Sequence, residues 1–342
     1  MPVRHEPLDL RTIFEFRIAH GSKQIQRNTL VRFSQDGIEG LGEAAPARYY
    51  GESPETVAVA LETWAPVLGG DPFALDAILA RMTATLAGND AARAAVDMAL
   101  HDWLGKKLGV PVWKLLGLDP TRAPLSCVTL GMAEPDEMLA KLETVKSFPI
   151  LKVKLGGPGD VANLQSIRAH YGGRLQVDAN AAWDAAGAVR VLHEIAPLGI
   201  DLVEQPVAAH DLDGLAFVHA HSPIPVFADE SCHHLGDLAK LAGRVCGVNL
   251  KLMKTGGLRE ALRMIHAARA LGLQVMLGSM VESSLALSAA AQLAPLADFL
   301  DLDGHWLLAD DPFSGAPAKQ GVITLSERPG LGVVPAAAGL AV

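Results

Sequence analysis

The stretch PILKVKLGG, residues 149–157, sets the pattern that decides the fold. Its apolar residues predict a short buried strand, yet Lys152 and Lys154 lie inside it. Because side chains alternate along a strand, the two lysines point to the same side. A buried ammonium group is costly unless it is paired or takes part in chemistry. We therefore expect these lysines to mark a functional position.

Seven more apolar stretches alternate with helical patterns from about residue 124 onward. They are LSCVTLG (125–131), RLQVDAN (174–180), DLVEQPV (201–207), IPVFADES (224–231), VCGVNLKL (245–252), LQVMLGS (273–279) and FLDLDG (299–304). Eight strand–helix units predict an α/β fold of the (β/α)8-barrel type, in which function lies at the C-terminal strand ends. A doubly wound open sheet is the alternative, but no GxGxxG motif follows the first strand.

The first part of the chain has a different pattern. TIFEFRIAH (12–20), NTLVRFSQ (28–35) and IEGLGEAAP (38–46) alternate in hydrophobicity, which predicts an antiparallel meander. Two helical patterns follow, one with Ser53 as its N-cap and one closed by Gly109. We predict a small α+β domain over residues 1–118, the barrel over 119–310, and a C-terminal segment over 311–342 that returns to the first domain.

Composition excludes several classes of function. Half of the residues are hydrophobic, and the formal net charge is −9 without a cluster of basic residues, which argues against a nucleic-acid partner. Cys127, Cys232 and Cys246 form no CxxC pair and are typical of reduced core thiols. The N-terminus lacks a secretory signal, and no run of 18 apolar residues predicts a membrane span. We expect a cytoplasmic protein with a small-molecule substrate, and the sequence leaves homo-oligomerisation open.

Three carboxylates end three successive predicted strands. Asp178, Glu204 and Asp229 would meet at one rim of the barrel, where three hard oxygen ligands suit Mg2+. His233 and His234 raise the alternative of a zinc site, but no matching Cys/His set appears elsewhere. We expect the two histidines to be loop or helix-start residues.

Lysines lie on both sides of this predicted metal site. Lys154 ends the second strand and Lys251 the sixth, and these strands face each other across an eight-stranded barrel. A substrate between them would have one lysine on each face, as a two-base racemisation or epimerisation requires. Burial, a divalent cation and the like charge of Lys152 would each disfavour the ammonium form of Lys154, making it a better base.

These motifs together resemble the enolase superfamily, in its muconate-lactonizing-enzyme subgroup. The matching residues are KVK at 152–154, DAN at 178–180 with Trp183 beyond it, EQP at 204–206, ADES at 228–231 and NLK at 249–251. The resemblance covers the whole chain and implies an N-terminal capping domain on the barrel. It further implies one Mg2+ per subunit on Asp178, Glu204 and Asp229, with Lys154 and Lys251 as the acid/base pair.

The last strand indicates the branch of the family. In DLDGHW, residues 301–306, Asp301 and Asp303 share one face and can bind a substrate ammonium group. The chain is in this respect similar to dipeptide epimerases such as the L-Ala-D/L-Glu epimerases, which carry the same motif. The resemblance implies Mg2+-dependent inversion of the α-carbon of the C-terminal residue through a metal-stabilised enolate. Lys152, Asp301, Asp303 and Ser279 are the predicted substrate-binding residues.

Related activities stay open at this point. An N-acylamino-acid racemase or an o-succinylbenzoate synthase would share every residue except the use of the two aspartates on the last strand. A muconate-type cycloisomerase or another lyase needs only one of the two bases. The preferred dipeptide is also open, between L-Ala-L/D-Glu-like and other L,L-dipeptides.

Residues of the first domain are candidates for contacts with the substrate side chain. Arg17, Lys23 and Arg27 are available for an acidic side chain, although none clearly aligns with the arginine of the Ala-Glu enzymes. Tyr49 or Tyr50, in a loop expected to close over the site, would lie near the substrate.

Overall fold

A computed structural model describes residues 3–18, 21–316 and 318–336 of the chain. The N-terminal part is a three-stranded antiparallel sheet followed by four α-helices. Its elements are β1 (Val3–Ile18), β2 (Gly21–Gln35), β3 (Ile38–Ala44), α1 (Pro54–Trp64), α2 (Leu75–Thr85), α3 (Asp90–Leu108) and α4 (Val112–Leu115). Asp36 and Gly37 join β2 to β3 with φ values of 53° and 73°, the left-handed conformation that such a tight hairpin needs.

Helix α3 lies directly on the sheet because two glycines of β3 leave space for its backbone. A Cβ atom added at Gly40 would come within 2.0 Å of the Ala99 carbonyl oxygen, and one at Gly42 within 1.9 Å of that of Ala95. The predicted helix ends are confirmed. Ser53 caps α1 by accepting a hydrogen bond from the Thr56 amide, and Gly109 ends α3 in the left-handed conformation.

The following part is the predicted barrel of eight parallel strands. The strands are β4 (Val128–Leu130), β5 (Ile150–Lys154), β6 (Arg174–Asp178), β7 (Ile200–Glu204), β8 (Val226–Ala228), β9 (Gly247–Lys251), β10 (Gln274–Gly278) and β11 (Phe299–Asp301). The helices are α5 (Pro135–Val145), α6 (Asp160–His170), α7 (Ala185–Ile195), α8 (Leu212–His221), α9 (Leu235–Leu241), α10 (Leu252–Thr255), α11 (Leu258–Ala270) and α12 (Ser284–Ala291). Neighbours in the sheet follow chain order, and the Cys127 amide donates to the Leu300 carbonyl at 2.9 Å, which closes the barrel.

The lower part of the barrel interior is apolar. Leu202, Phe227 and Met276 form a separate buried cluster there, and the ring of Phe227 meets that of Phe299 edge to face. A Cβ atom at Gly247 would come within 2.4 Å of the Phe227 ring, so this position requires glycine. The floor is therefore filled by side chains, and chemistry is confined to the C-terminal strand ends.

A buried polar network ties the N-terminal domain to the barrel. Glu43 on β3 accepts hydrogen bonds from the Asn28 side-chain amide at 2.7 Å and from the Ser283 amide at 3.1 Å. Asn28 also donates to the carbonyl of Val281, in the loop after β10. Burial raises the pKa of the Glu43 carboxyl above its usual value, despite its hydrogen bonds to Ser283 and Asn28. The sheet of the first domain is thus fixed beside the loop that follows β10.

The C-terminal segment contacts the N-terminal part of the chain. Its short strands are β12 (Phe313–Ser314), β13 (Ala318–Lys319), β14 (Val322–Ile323) and β15 (Val334–Pro335). The Leu331 amide donates to Asp102 of α3, and the Trp113 indole donates to the carbonyl of Ser326. The division of the chain at residues 118 and 310 stays a prediction. Among the helices of the described residues, none has the length and apolar character that crossing a membrane requires.

Candidate active site

Five adjacent strands of the barrel present charged residues in one row. Lys154 on β5, Asp178 on β6 and Glu204 on β7 are paired in register, Asp229 follows β8 directly, and Lys251 ends β9. The row therefore has the order lysine, three carboxylates, lysine. The register of the strands produces it, because residues at matched C-terminal ends of parallel strands lie side by side.

The three carboxylates of the row form a buried cluster. Asp178, Glu204 and Asp229 each offer an oxygen within 4.8 Å of the others, and none is more than 1% exposed. The Asn180 amide donates to Asp178 at 2.9 Å, and the Asn249 side chain donates to Glu204 at 2.8 Å. Three converging oxygen donors, held by neighbouring groups, fit a hard divalent cation.

The two lysines flank this cluster from opposite sides. Lys154 Nζ lies 2.6 Å from Asp178 Oδ2, and Lys251 Nζ lies 2.7 Å from Asp229 Oδ2. Their strands are four apart in an eight-stranded barrel, so the ammonium groups face each other across the rim. Burial disfavours the charged form of Lys251, but the carboxylates of Asp229 and Glu204 outweigh burial and raise its pKa. Lys251 is therefore held in its ammonium form by these carboxylates.

Lys152 is completely buried and forms ion pairs with carboxylates of three strands, the most distant being Asp178 at 3.5 Å. Its Nζ lies 2.5 Å from Glu204 Oε2 and 2.6 Å from Asp301 Oδ2. Burial lowers the pKa of Lys152, yet these carboxylates outweigh it and raise that pKa well above its ordinary value. Lys152 is therefore a paired cation that links the triad to β11.

Asp301 and Asp303, at the end of β11, lie beside β4. Asp301 accepts from the Thr129 hydroxyl at 3.3 Å, and Asp303 accepts from the Thr129 amide at 2.6 Å. Burial raises the pKa of Asp301, but Lys152 outweighs it and lowers the value to about 2. Burial and the charge of Asp301 raise the pKa of Asp303 to about 6. Ser279 is half-buried, and its hydroxyl donates to the Asp301 carbonyl at 3.3 Å.

Two charged residues that contact the site were not predicted from the sequence. Lys254 is fully buried on the short helix after β9, and its ammonium lies 2.5 Å from Asp229 Oδ1 and 2.6 Å from the Asp229 carbonyl. Together with Lys251 it overcomes burial and holds the pKa of Asp229 well below its usual range. Glu230, beside Asp229, is bound by the Asn180 side chain at 3.2 Å. The motifs NLKLMK and ADES contain both residues, but nothing in their spacing separates these roles from solvated charges.

The entrance of the site combines residues from both domains. The ring of Tyr50 stacks on His233 with centroids 4.8 Å apart, while Tyr49 is 46% exposed. His234 is the N-cap of α9, which confirms that the two histidines are loop and helix-start residues. Arg27 is exposed, and the side chains of Arg17 and Lys23 lie outside the described residues.

A cavity of about 690 Å3 opens beside Lys154, between the loops that follow β4 and β5. Its apolar lining includes Met132, Met138, Val153 and Leu155, and Asp160 lies at its polar edge. The site therefore has room for a ligand side chain on the side of this lysine.

The capped barrel and the charged row together define a barrel enzyme of the enolase superfamily. Residues 137–338 match the model of the enolase C-terminal domain-like fold, and residues 5–117 match the N-terminal domain of mandelate racemase and muconate lactonizing enzyme. The chain belongs to the mandelate racemase/muconate lactonizing enzyme family.

Several relatives of this chain are epimerases or racemases. An L-Ala-D/L-Glu epimerase of Bacteroides thetaiotaomicron is 42% identical over 96% of this chain and 86% of the relative. A dipeptide epimerase of Enterococcus faecalis V583, solved with Mg and L-Leu-L-Tyr, is 32% identical with a TM-score of 0.92, covering 97% of this chain and 98% of that one. An N-succinyl Arg/Lys racemase of Bacillus cereus is 29% identical with a TM-score of 0.93, covering 98% and 95%. The prediction of an isomerase is thereby confirmed.

Proposed function

We propose that this enzyme is a Mg2+-dependent dipeptide epimerase that inverts the α-carbon of the C-terminal residue by a two-base 1,1-proton transfer. The observation that supports it most is the row of lysine, three carboxylates and lysine across β5–β9. A substrate on the triad would present one face of its α-carbon to each lysine. The relatives named above are epimerases or racemases of dipeptides or of an N-succinyl amino acid, and this likeness supports a substrate of similar chemistry for this chain.

Asp178, Glu204 and Asp229 would hold the ion. When bound, Mg2+ supplies positive charge that stabilises the negative charge left on the substrate carboxyl group after proton removal. Lys254 holds Asp229 and the Asn249 side chain holds Glu204, so the donor oxygens are oriented before the ion arrives.

The proton transfer requires the lysines in opposite protonation states. The neutral amine of one lysine takes the α-proton from one face of the carbon, and the ammonium of the other returns a proton to the opposite face. After one turnover the two states are exchanged, so the reverse direction uses the same pair. Lys152 contributes fixed positive charge beside Glu204, where the substrate carboxyl group would lie.

Asp301 and Asp303 would bind the free α-ammonium group of the dipeptide. Asp301 ends β11, Asp303 lies two residues beyond it, and the two carboxylates share Thr129 as a hydrogen-bond donor. Lys152 neutralises part of the charge of Asp301, so we expect Asp303 to provide more of the attraction for the ammonium group.

An N-acylamino-acid racemase is the second candidate function, because Lys152 pairs with Asp301. Asp303 is therefore the one aspartate of the two that lacks this close cation. An uncharged acyl group in place of the substrate ammonium would therefore leave one carboxylate unpaired and not two. The fold does not discriminate between the epimerase and the racemase, since the N-succinyl Arg/Lys racemase superposes on this chain as well as the dipeptide epimerase does.

A substrate panel in D2O with Mg2+ tests the proposal. The panel contains L,L-dipeptides with acidic and with apolar C-terminal residues, and the matching N-acetyl and N-succinyl amino acids. We expect epimerisation with deuterium incorporation at the C-terminal α-carbon of free dipeptides. Faster turnover of the N-acyl compounds would favour the racemase, and exchange without any inversion across the panel would contradict the two-base mechanism.

A further inference from the structure

A second group of potential metal ligands lies where the N-terminal domain meets the barrel. Asp90, His233 and His234 each offer one donor atom within 4.8 Å of the others, and none of them belongs to the carboxylate triad. Asp90 is the first residue of α3, whereas the histidines lie between β8 and α9. The sequence raised the two histidines as an alternative zinc site and offered no further ligand for them, because the third member, Asp90, comes from a distant part of the chain.

The distances between the donor atoms are close to those of an occupied site. His233 Nδ1 lies 3.1 Å from His234 Nε2, and His234 Nε2 lies 4.0 Å from Asp90 Oδ2. Ligand atoms at ordinary zinc bond lengths of about 2.0–2.2 Å are roughly 3.3 Å apart in a tetrahedral site. Small side-chain rotations would therefore bring all three donors onto one ion.

The elements that carry these ligands are held in place. Asp237 accepts hydrogen bonds from the backbone amides of both His233 and His234, at 3.1 and 2.9 Å, which fixes the loop. The Tyr50 ring stacks on His233 at an interplanar angle of 26° and sets the orientation of the imidazole. Asp90 is only 6% exposed, at the start of the long helix packed on the sheet.

We propose that Asp90, His233 and His234 bind a borderline divalent transition metal, Zn2+ in the first place. Two imidazoles and one carboxylate suit this class of ion, whereas Mg2+ prefers oxygen donors in an octahedral arrangement. The His234 side chain is 60% exposed, so water can complete the coordination. The bound ion would cross-link α3 of the N-terminal domain to the loop after β8 and hold it against Tyr50.

Metal titration of the purified chain, first saturated with Mg2+ to fill the carboxylate triad, tests this site. We expect one Zn2+ per chain by calorimetry and a rise in melting temperature, since a ligand that binds only the folded state stabilises it. Cu2+ used as a spectroscopic probe should show nitrogen hyperfine coupling from two imidazoles, which a triad of carboxylates cannot produce.

Three variants make the result decisive. His234→Ala changes a largely exposed side chain and should weaken Zn2+ binding by at least roughly tenfold and remove one nitrogen from the Cu2+ spectrum. Asp90→Asn should weaken Zn2+ binding and keep both nitrogens. His266→Ala, at an exposed histidine of α11, is the matched control and should bind as the original chain does. The proposal is overturned if Zn2+ binds no better to the original chain than to His234→Ala, or if the Cu2+ spectrum shows no imidazole nitrogen. The two rings would then be joined only by a hydrogen bond.

Discussion

Two buried groups of carboxylates at the barrel rim differ in what faces them. Asp178, Glu204 and Asp229 come from three neighbouring strands, so their oxygens converge on a point that can take a dication. Asp301 and Asp303 come from the end of β11 and the turn after it, two residues apart, and both accept hydrogen bonds from Thr129. Three converging carboxylates suit a metal ion, whereas two carboxylates close together in the chain suit a single ammonium group. We therefore attribute the proposed difference in bound cation to where the carboxylates stand in the chain, since the residue types are nearly the same.

Lys152 connects the two groups and keeps them distinct. It contacts Glu204 of the triad and Asp301 of the pair, at 2.5 and 2.6 Å. The pKa of Asp301 is thereby held at about 2, while that of Asp303, which lacks this close partner, rises to about 6.

Removing the metal ion, or one of its three carboxylate ligands, should have the largest effect on activity. Chelation with EDTA should abolish epimerase activity and Mg2+ should restore it, because the single charge of Lys152, already paired with Glu204 and Asp301, cannot replace the double charge of the ion beside the reacting carboxyl group. Asp178→Asn, Glu204→Gln and Asp229→Asn should each lower kcat/KM by several orders of magnitude, measured by polarimetry with circular dichroism as the folding check. Asp201→Asn on β7, whose side chain pairs with Arg174, is the matched control. Full activity after exhaustive chelation would contradict the assignment.

The lysines beside the triad should give a qualitative change. Lys154→Ala and Lys251→Ala should each stop net inversion, because inversion requires one group to take the proton and another to return it. Each variant should still exchange the α-hydrogen of one epimer in D2O, and the two variants should differ in which epimer, as NMR would show. Lys240→Ala, at an exposed surface lysine, is the control. A folded Lys251→Ala that epimerises at the original rate would favour the one-base lyase mechanism.

Changes at the aspartate pair should be smaller. Acetylating the dipeptide amino group should lower kcat/KM about 10- to 100-fold, because a hydrogen bond to a charged group contributes ~1.5–3 kcal/mol. Asp303→Asn should reduce kcat/KM for free dipeptides and leave N-acyl substrates little changed. An equal loss for both substrate classes would show that Asp303 supports the site without binding the ammonium group.

The smallest expected effect is a pH dependence of kcat/KM that comes from Asp303 and not from Asp301, because the pKa values of the two carboxyl groups differ. A carboxyl group is charged above its pKa, so the attraction of Asp303 for an ammonium group is present above about pH 6 and lost below it. The ratio of kcat/KM between the original enzyme and Asp303→Asn should therefore fall as the pH is lowered through about 6. A constant ratio between about pH 5 and pH 8 would contradict this role.

Sequence reasoning found the fold and the order of the row, because strand alternation and the regular spacing of strand ends fix which residues reach the rim. It could not find the partners of those residues. Lys152 was interpreted as a like charge for Lys154, but its partners Glu204 and Asp301 lie 52 and 149 positions away in the chain. Lys254 and Asp90 were missed for the same reason, since their contacts depend on how separate elements pack.

The position of Lys152 limits how this enzyme can change its substrate by mutation. Replacing Asp301 alone would leave a fully buried ammonium short of one of its partners, and breaking a buried ion pair costs about 3–5 kcal/mol. Replacing Asp303 would not break this ion pair, because its close donor is the Thr129 amide. An evolutionary path or a redesign toward N-acylated substrates therefore passes through Asp303 first, and reaches Asp301 only together with Lys152.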